Sequence, residues 1–254
     1  MKIPRLLLLV FPLLILAACG SDVTTQSTKV APPTPTIIPV PTTPNVPARS
    51  VSFTTEDHVK LAGELYGQGK TMVICSHMRG TSLAIWRDSG IPQRLAALGY
   101  QVLLYDFRGY GGSDGEEDTT VLDVDLNAAV NFAHRQGATK YVLMGASMGG
   151  TASLNVAVKG EASALISLSA PQALGVNVTD ADLKTMQVPK LFIASEDDEP
   201  YVTDAQHMYN IASQPKEIAL YPGTAHGTEI FGGDNGDAPA QRILHFLKQY
   251  APAS

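Results

Sequence analysis

The sequence predicts an α/β protein: a three-layer α/β/α sandwich around a mostly parallel, doubly wound sheet, with an antiparallel hairpin at its N-terminal edge. Three observations predict it. From Val51 onward, short apolar runs carry no polar–apolar alternation, as in "TMVICSH", "YQVLLYD" and "KYVLMG". They alternate with stretches of helical periodicity, several of which end at Gly. Strands apolar on both faces are buried on both faces, and strand–helix alternation makes the sheet parallel.

The elements follow in order. "VSFTT" and "VKLAGELYG" are two strands joined by a turn at Glu56-Asp57-His58. "TMVICSH" is a strand, and "WRDSGIPQRLAALG" contains a helix ending near Gly99. "YQVLLYD" is a strand, and "TTVLDVDLNAAVNFAHRQG" a helix ending at Gly137, with Thr120 and Asp123 as its capping pair. "KYVLMG" leads into "MGGTASLNVAVKG", a helix ending at Gly160. "ALISLSA", "PKLFIAS" and "KEIALYP" are further strands, and "VTDAQHMYNIAS" and "PAQRILHFLKQY" further helices. There is no internal repeat and no second domain.

Before this domain lie two segments of different texture. "MKIPRLLLLVFPLLILAACG" begins with Lys2 and Arg5 and continues as an apolar run from Leu6 to Ala18. A membrane-spanning helix needs about twenty apolar residues, so residues 1–18 read as a secretory signal peptide. The ending Leu16–Cys19 resembles a bacterial lipobox, which implies acylation of Cys19 as the first mature residue. The expected location is the bacterial cell envelope, extracytoplasmic and anchored to the membrane through that lipid. Residues 19–49 are rich in Pro and Thr and read as a disordered tether. Residues 50–254 are then the folded domain.

Charge and cysteine content narrow the class. The formal net charge is −6, against the basic face expected of a nucleic-acid-binding protein. With Cys19 acylated, Cys75 has no partner for a disulfide and reads as a buried thiol. There is no H-E-x-x-H or paired His/Cys pattern, so neither metal nor cofactor is expected.

In an open parallel sheet the ligand site lies beyond the carboxyl ends of the strands. "YVLMGASMGG" contains Gly-x-Ser-x-Gly at Gly145, Ser147 and Gly149, and "GGSDG" contains it again at Gly111, Ser113 and Gly115. The motif alone does not choose. Ser147 follows a strand directly and a helix continues behind it, the order a nucleophile elbow needs. Ser113 lies some way past its nearest strand and is followed by "DGEED", which fits a loop. A serine nucleophile needs a general base, and the base needs an orienting group. Of six His, His134, His207 and His245 sit in helical stretches, and of the others only His226, in the loop "YPGTAHG", follows both the elbow and a carboxylate-bearing strand end. That strand end carries Glu196, Asp197, Asp198 and Glu199, any of which is a candidate partner.

These residues resemble the α/β-hydrolase superfamily, lidless members similar to dienelactone hydrolases and acyl-peptidases in particular, over Val51 to Tyr250. "SHMRGTS" resembles the loop after the third strand. "GYQVLLYDFRGYGGSDG" resembles the block Gly-Tyr-x-Val … Asp-x-Arg-Gly-x-Gly-x-Ser. "GASMGG" is similar to the elbow, "ASEDDEP" to Gly-x-x-Asp-x-Pro with Ser195 in the Gly place, and "GTAHG" to the histidine loop. The resemblance implies Ser147 as nucleophile, His226 as base and Asp198 as acid, with Asp197 the alternative. It implies an oxyanion hole built from the backbone N–H of Met148 and of Arg79. Met78 stands where the superfamily usually has Gly, which makes its N–H the alternative to that of Arg79. Arg108 is expected to tie its loop down.

The activity implied is hydrolysis of carboxylic ester bonds in small or medium substrates through an acyl-enzyme. A serine peptidase on the same triad and a non-catalytic surface-binding protein on this scaffold are the alternatives. Between "ALISLSA" and "PKLFIAS" there is room for one short helix at "DADLKTM", so an open, lidless site is expected.

Overall fold

The computed structural model describes residues 45–160 and 162–253. The expected signal peptide, Cys19 and most of the tether lie outside the described residues. The chain enters the sheet at Arg49, one residue before the expected boundary.

In chain order the elements are β1 (Arg49–Thr54), β2 (Lys60–Tyr66), β3 (Thr71–Ser76), α1 (Ala84–Asp88), α2 (Ile91–Ala97), β4 (Gln101–Tyr105), α3 (Leu122–Arg135), β5 (Lys140–Ala146), α4 (Met148–Ala157) and β6 (Ala164–Leu168). A two-residue hairpin follows, β7 (Ala173–Leu174) and β8 (Val176–Asn177), then α5 (Asp180–Thr185), β9 (Lys190–Ser195), α6 (Tyr201–Ile211), β10 (Lys216–Tyr221) and α7 (Ala238–Tyr250). Eight strands form one sheet in the order β1-β2-β4-β3-β5-β6-β9-β10. The β1–β2 and β2–β4 pairs are antiparallel, and every other pair is parallel.

The central strands show why their runs are apolar throughout. In β4, Leu103 and Tyr105 join one core layer with Phe53, Leu126 and Phe132, while Val102 and Leu104 join the other with Trp86, Leu95 and Phe246. Successive side chains point to opposite faces, and here both faces are core. Burying each large aliphatic side chain contributes about 1.5–3 kcal/mol.

One local expectation is corrected and two gain a further element. The stretch Trp86–Gly99 contains the expected helix, α2, which Ile91 opens behind Gly90 at φ 72°, and the end of α1 precedes it. The cap before α3 is Asp118, whose side chain accepts the Thr120 N–H at 2.9 Å, and Asp123 instead pairs with Lys159. The segment before β9 carries the β7–β8 hairpin as well as the short helix, the latter held by a Thr179–Asp182 capping box.

Candidate active site

β5 ends at the sheet's centre, and the chain turns at Ser147 straight into α4. Ser147 sits at φ 49°, ψ −117°, a region that costs a non-glycine residue about 1–3 kcal/mol. Backbone hydrogen bonds hold it there: Ser147 N–H donates to Leu168 O at 2.8 Å, and its own carbonyl accepts from Gly150 and Thr151. The flanking glycines are required by contact. A Cβ on Gly145 would stand 2.1 Å from Gly149 O, and one on Gly149 would stand 2.2 Å from Ser76 O. The Ser147 hydroxyl makes no hydrogen bond with another described residue.

Two strands away, Asp198 lies just past the end of β9. It is buried, while Glu196, Asp197 and Glu199 are exposed. His226 Nδ1 stands 3.0 and 3.1 Å from the two Asp198 carboxylate oxygens. An ionised carboxylate only accepts, so Nδ1 carries the proton and donates, which leaves Nε2 free as an acceptor. Four contacts fix the histidine loop. Ser195 Oγ donates to Ala225 O at 2.6 Å, Glu196 N–H to Tyr221 O, and Asp197 N–H to Gly223 O. His226 N–H donates to Glu229 Oε2 at 3.3 Å. The residue after His226 rests on the elbow: a Cβ on Gly227 would lie 3.2 Å from Ala146 Cβ and 2.4 Å from Met78 Sδ.

The loop after β3 forms the third side. His77 is fully buried, and burial lowers its pKa from the ordinary value. Both ring nitrogens are committed: Nδ1 to Met78 O at 2.8 Å, and Nε2 as acceptor of the Phe107 N–H at 3.1 Å. His77 O in turn accepts the Gly149 N–H at 3.1 Å, which joins this loop to the elbow. The N–H groups of Met78, Arg79 and Met148 have no acceptor among the described residues. The structure therefore brings together Ser147, the His226–Asp198 pair and unengaged backbone donors. It leaves Asp197 outside, its side chain in solvent.

Residues 71–187 match the family described as the alpha/beta hydrolase fold. The chain has an α/β-hydrolase fold. An uncharacterized protein of Mycobacterium tuberculosis is 27% identical over 225 residues, covering 76% of this chain and 78% of that protein. Escherichia coli YfhR is 24% identical over 235 residues, covering 79% and 80%. Among solved structures, the Pyrococcus furiosus esterase Pf2001 superposes with a TM-score of 0.71 at 21% identity, covering 81% of this chain and 93% of that one. A dienelactone hydrolase from Anabaena variabilis superposes at 0.67 with 21% identity, covering 81% and 98%.

Within this hydrolase fold, several residues near the site escaped sequence reasoning. The Tyr201 ring lies 4.2 Å from the His226 ring, centroid to centroid. Tyr110 packs edge-on to His77 at 5.0 Å, and its hydroxyl touches Met148 Sδ. Arg79 pairs with Glu117 at 2.7 Å across the loop tips. None of these pairings has a local signal, since each joins residues far apart in sequence.

The second Gly-x-Ser-x-Gly is structural. Ser113 Oγ donates to Asp106 O at 2.6 Å and accepts the Ala62 N–H at 2.9 Å. Arg108 holds that loop, with bonds to the fully buried Asp125 and a two-pronged pair with Asp57. The Arg108 guanidinium pulls the Asp57 carboxyl down to about 2. Among the described residues no group of three His, Cys, Asp or Glu side chains is placed to hold a metal ion.

Proposed function

We propose that this protein is a serine hydrolase that cleaves carboxylic ester bonds of small or medium substrates. The observation that carries the reading is the pairing of buried Asp198 with half-buried His226, packed through Gly227 against the residue preceding Ser147.

In this mechanism Ser147 attacks the acyl carbonyl and His226 Nε2 takes the hydroxyl proton. The hydroxyl makes no hydrogen bond with a described residue, which leaves it available to His226 Nε2. Such contacts commonly tighten only with substrate bound. Asp198 keeps the proton on Nδ1 and stabilises the imidazolium that forms. The N–H groups of Met148 and Arg79, with Met78 the alternative to Arg79, receive the oxyanion, a contribution of about 3 kcal/mol per donor. His226 then protonates the leaving alcohol. Water repeats the cycle on the acyl-enzyme.

The substrate size follows from the segment between β6 and β9. Its hairpin is tied down on α4, where Asn155 Nδ2 donates to Asn177 O at 2.8 Å. A Cβ on Gly175 would stand 2.1 Å from Thr119 O, so the hairpin tip also abuts that loop. A short segment held down in this way leaves the site without a lid and suits compact acyl groups.

The N-terminal residues complete the proposal. Signal-peptide removal and acylation of Cys19 place the enzyme on the extracytoplasmic side of a bacterial envelope membrane.

The test is hydrolysis of p-nitrophenyl esters from acetate to palmitate by the parent and by Ser147→Ala. The reading expects turnover highest at short chain length and lost in the variant. Turnover only on long-chain emulsions contradicts the size assignment, and equal turnover in the variant contradicts the nucleophile.

A further inference from the structure

The cations among the described residues fall into three sets, one of which, the buried Lys190 and the half-buried Lys216, donates to backbone carbonyls. Arg79, Arg87, Arg94, Arg108, Lys159 and Arg242 each pair with a carboxylate. Arg49, Lys60, Lys70, Arg135, Lys140, Lys184 and Lys248 are exposed and form no ion pair with a described residue. Five of these seven, Arg49, Lys70, Arg135, Lys140 and Lys248, gather at the amino end of the parallel strands.

They form one surface. Lys140 opens β5 beside Thr71 at the start of β3, and the N–H groups of Thr139 and Lys140 both donate to Lys70 O. A Cβ on Gly137 would lie 3.8 Å from Lys70 Nζ. The guanidinium of Arg49 donates to Gln136 Oε1 at 3.0 Å, next to Arg135 at the end of α3. Thr71 Oγ1 donates to Pro252 O at 2.9 Å. That joins the patch to an apolar groove lined by Leu98, Tyr100, Leu244, Lys248, Pro252 and Ala253. Leu98 is the exposed large hydrophobic residue among those described, at 38%.

The loops at the two ends of the sheet have opposite charge. The segments 67–70, 98–100 and 137–140, which feed β3, β4 and β5, contain two Lys and no carboxylate. At the carboxyl end, by contrast, stand Asp114, Glu116, Glu117 and Asp118, and Glu196, Asp197 and Glu199 beside the proposed site. The chain also enters at the basic end: Arg49 opens β1 opposite Leu65, one residue before the Tyr66–Val102 pair near the start of β4. Residues preceding Arg49, including Cys19, join the domain there.

We infer that the amino end of the sheet docks the domain on a bilayer of anionic lipid. Lys70, Lys140, Arg49 and Lys248 meet the headgroups, Leu98 reaches the interface, and Ser147 faces the aqueous phase. This rests on the lipid-anchored reading. A chain with net charge −6 is a poor candidate for capture from solution, but a tether holds the domain at high local concentration, where a polarised charge distribution sets its orientation. Headgroup attraction to exposed lysines is screened within about 10 Å at 0.1 M salt. The substrate then arrives from water rather than from the bilayer that carries the enzyme.

The test uses the full chain purified from membranes and reconstituted in vesicles of phosphatidylcholine alone or with phosphatidylglycerol. Lysines are acylated with a membrane-impermeant reagent and read by peptide mass spectrometry. Lys70, Lys140 and Lys248 are expected to react at least about threefold more slowly on the anionic vesicles, and 0.5 M salt restores their rates. Lys60, at the opposite end of β2, keeps its rate throughout. Equal rates on both vesicle types, or protection of Lys60 instead, overturns the docking face. Flotation with phosphatidylcholine vesicles tests the anchor separately. A chain that floats only with anionic vesicles while its lysines are protected loses the anchor and keeps the face. A chain that floats with neither loses both.

Discussion

Ser195 donates its buried hydroxyl to the Ala225 carbonyl at 2.6 Å and so ties the strand that leads to Asp198 to the loop that carries His226. The residue that departs from the superfamily's Gly-x-x-Asp pattern thus acquires a task no glycine side chain performs. Ser195→Ala leaves the partly buried Ala225 carbonyl without its donor, a cost of about 1 kcal/mol. The expected result is a melting temperature lower by several degrees and a kcat reduced several-fold, with KM little changed. Thermal unfolding and steady-state kinetics on a short-chain ester check both.

The choice between the two adjacent aspartates is testable directly. Asp198→Asn removes the carboxylate that holds the Nδ1 proton of His226, and loss of the right tautomer costs on the order of 10⁴ in kcat in a serine protease triad. Asp197→Asn changes an exposed side chain whose backbone alone braces the histidine loop, and its kcat is expected within about twofold of the parent. Equal losses in the two variants would contradict the assignment.

Strain at the elbow predicts a stability difference between two inactive variants. Ser147→Gly accepts φ 49° without penalty, whereas Ser147→Ala keeps the strain. The glycine variant is expected to unfold at a higher temperature, by on the order of 1 kcal/mol of added stability, the strain relief exceeding the extra chain entropy glycine loses on folding. Differential scanning calorimetry of the pair decides it.

What the sequence makes legible follows from where information is local. The strands of the sheet core were readable because both of their faces are buried, so every position is apolar. Ser147 was readable against Ser113 because a strand–turn–helix order is written in consecutive residues. The β7–β8 hairpin was not, since two-residue strands carry no periodicity. Nor was the separation of Asp198 from Asp197, which depends on the turn that buries one carboxylate and exposes the other. Tyr110 and Glu117, in the loop after β4, and Tyr201, at the start of α6, meet partners far from them in sequence, and only the folded chain sets them together.

Lys190 predicts a pH dependence of stability. Its ammonium is buried at the start of β9, where it donates to Met186 O and Ser213 O, both at 2.8 Å. Burial lowers its pKa to about 8 from an ordinary 10.5. Below pH 8 the lysine is charged in both the folded and the unfolded states. Between about pH 8 and 10.5 the folded state has released the proton that the unfolded state still holds, so this group's contribution to stability rises with pH. The stability of the parent relative to Lys190→Met should therefore increase from pH 7 to 9.5 in denaturant titrations. A constant difference would contradict the lowered pKa.

The nucleophile is the claim on which the rest depends, and covalent labelling tests it most directly. A fluorophosphonate phosphonylates a serine only where a base and an oxyanion site activate it. Intact-protein and peptide mass spectrometry should find a single adduct, on Ser147, absent from Ser147→Ala and formed far more slowly in Asp198→Asn. A parent protein that stays unmodified, or that carries its adduct on another serine, would contradict the account.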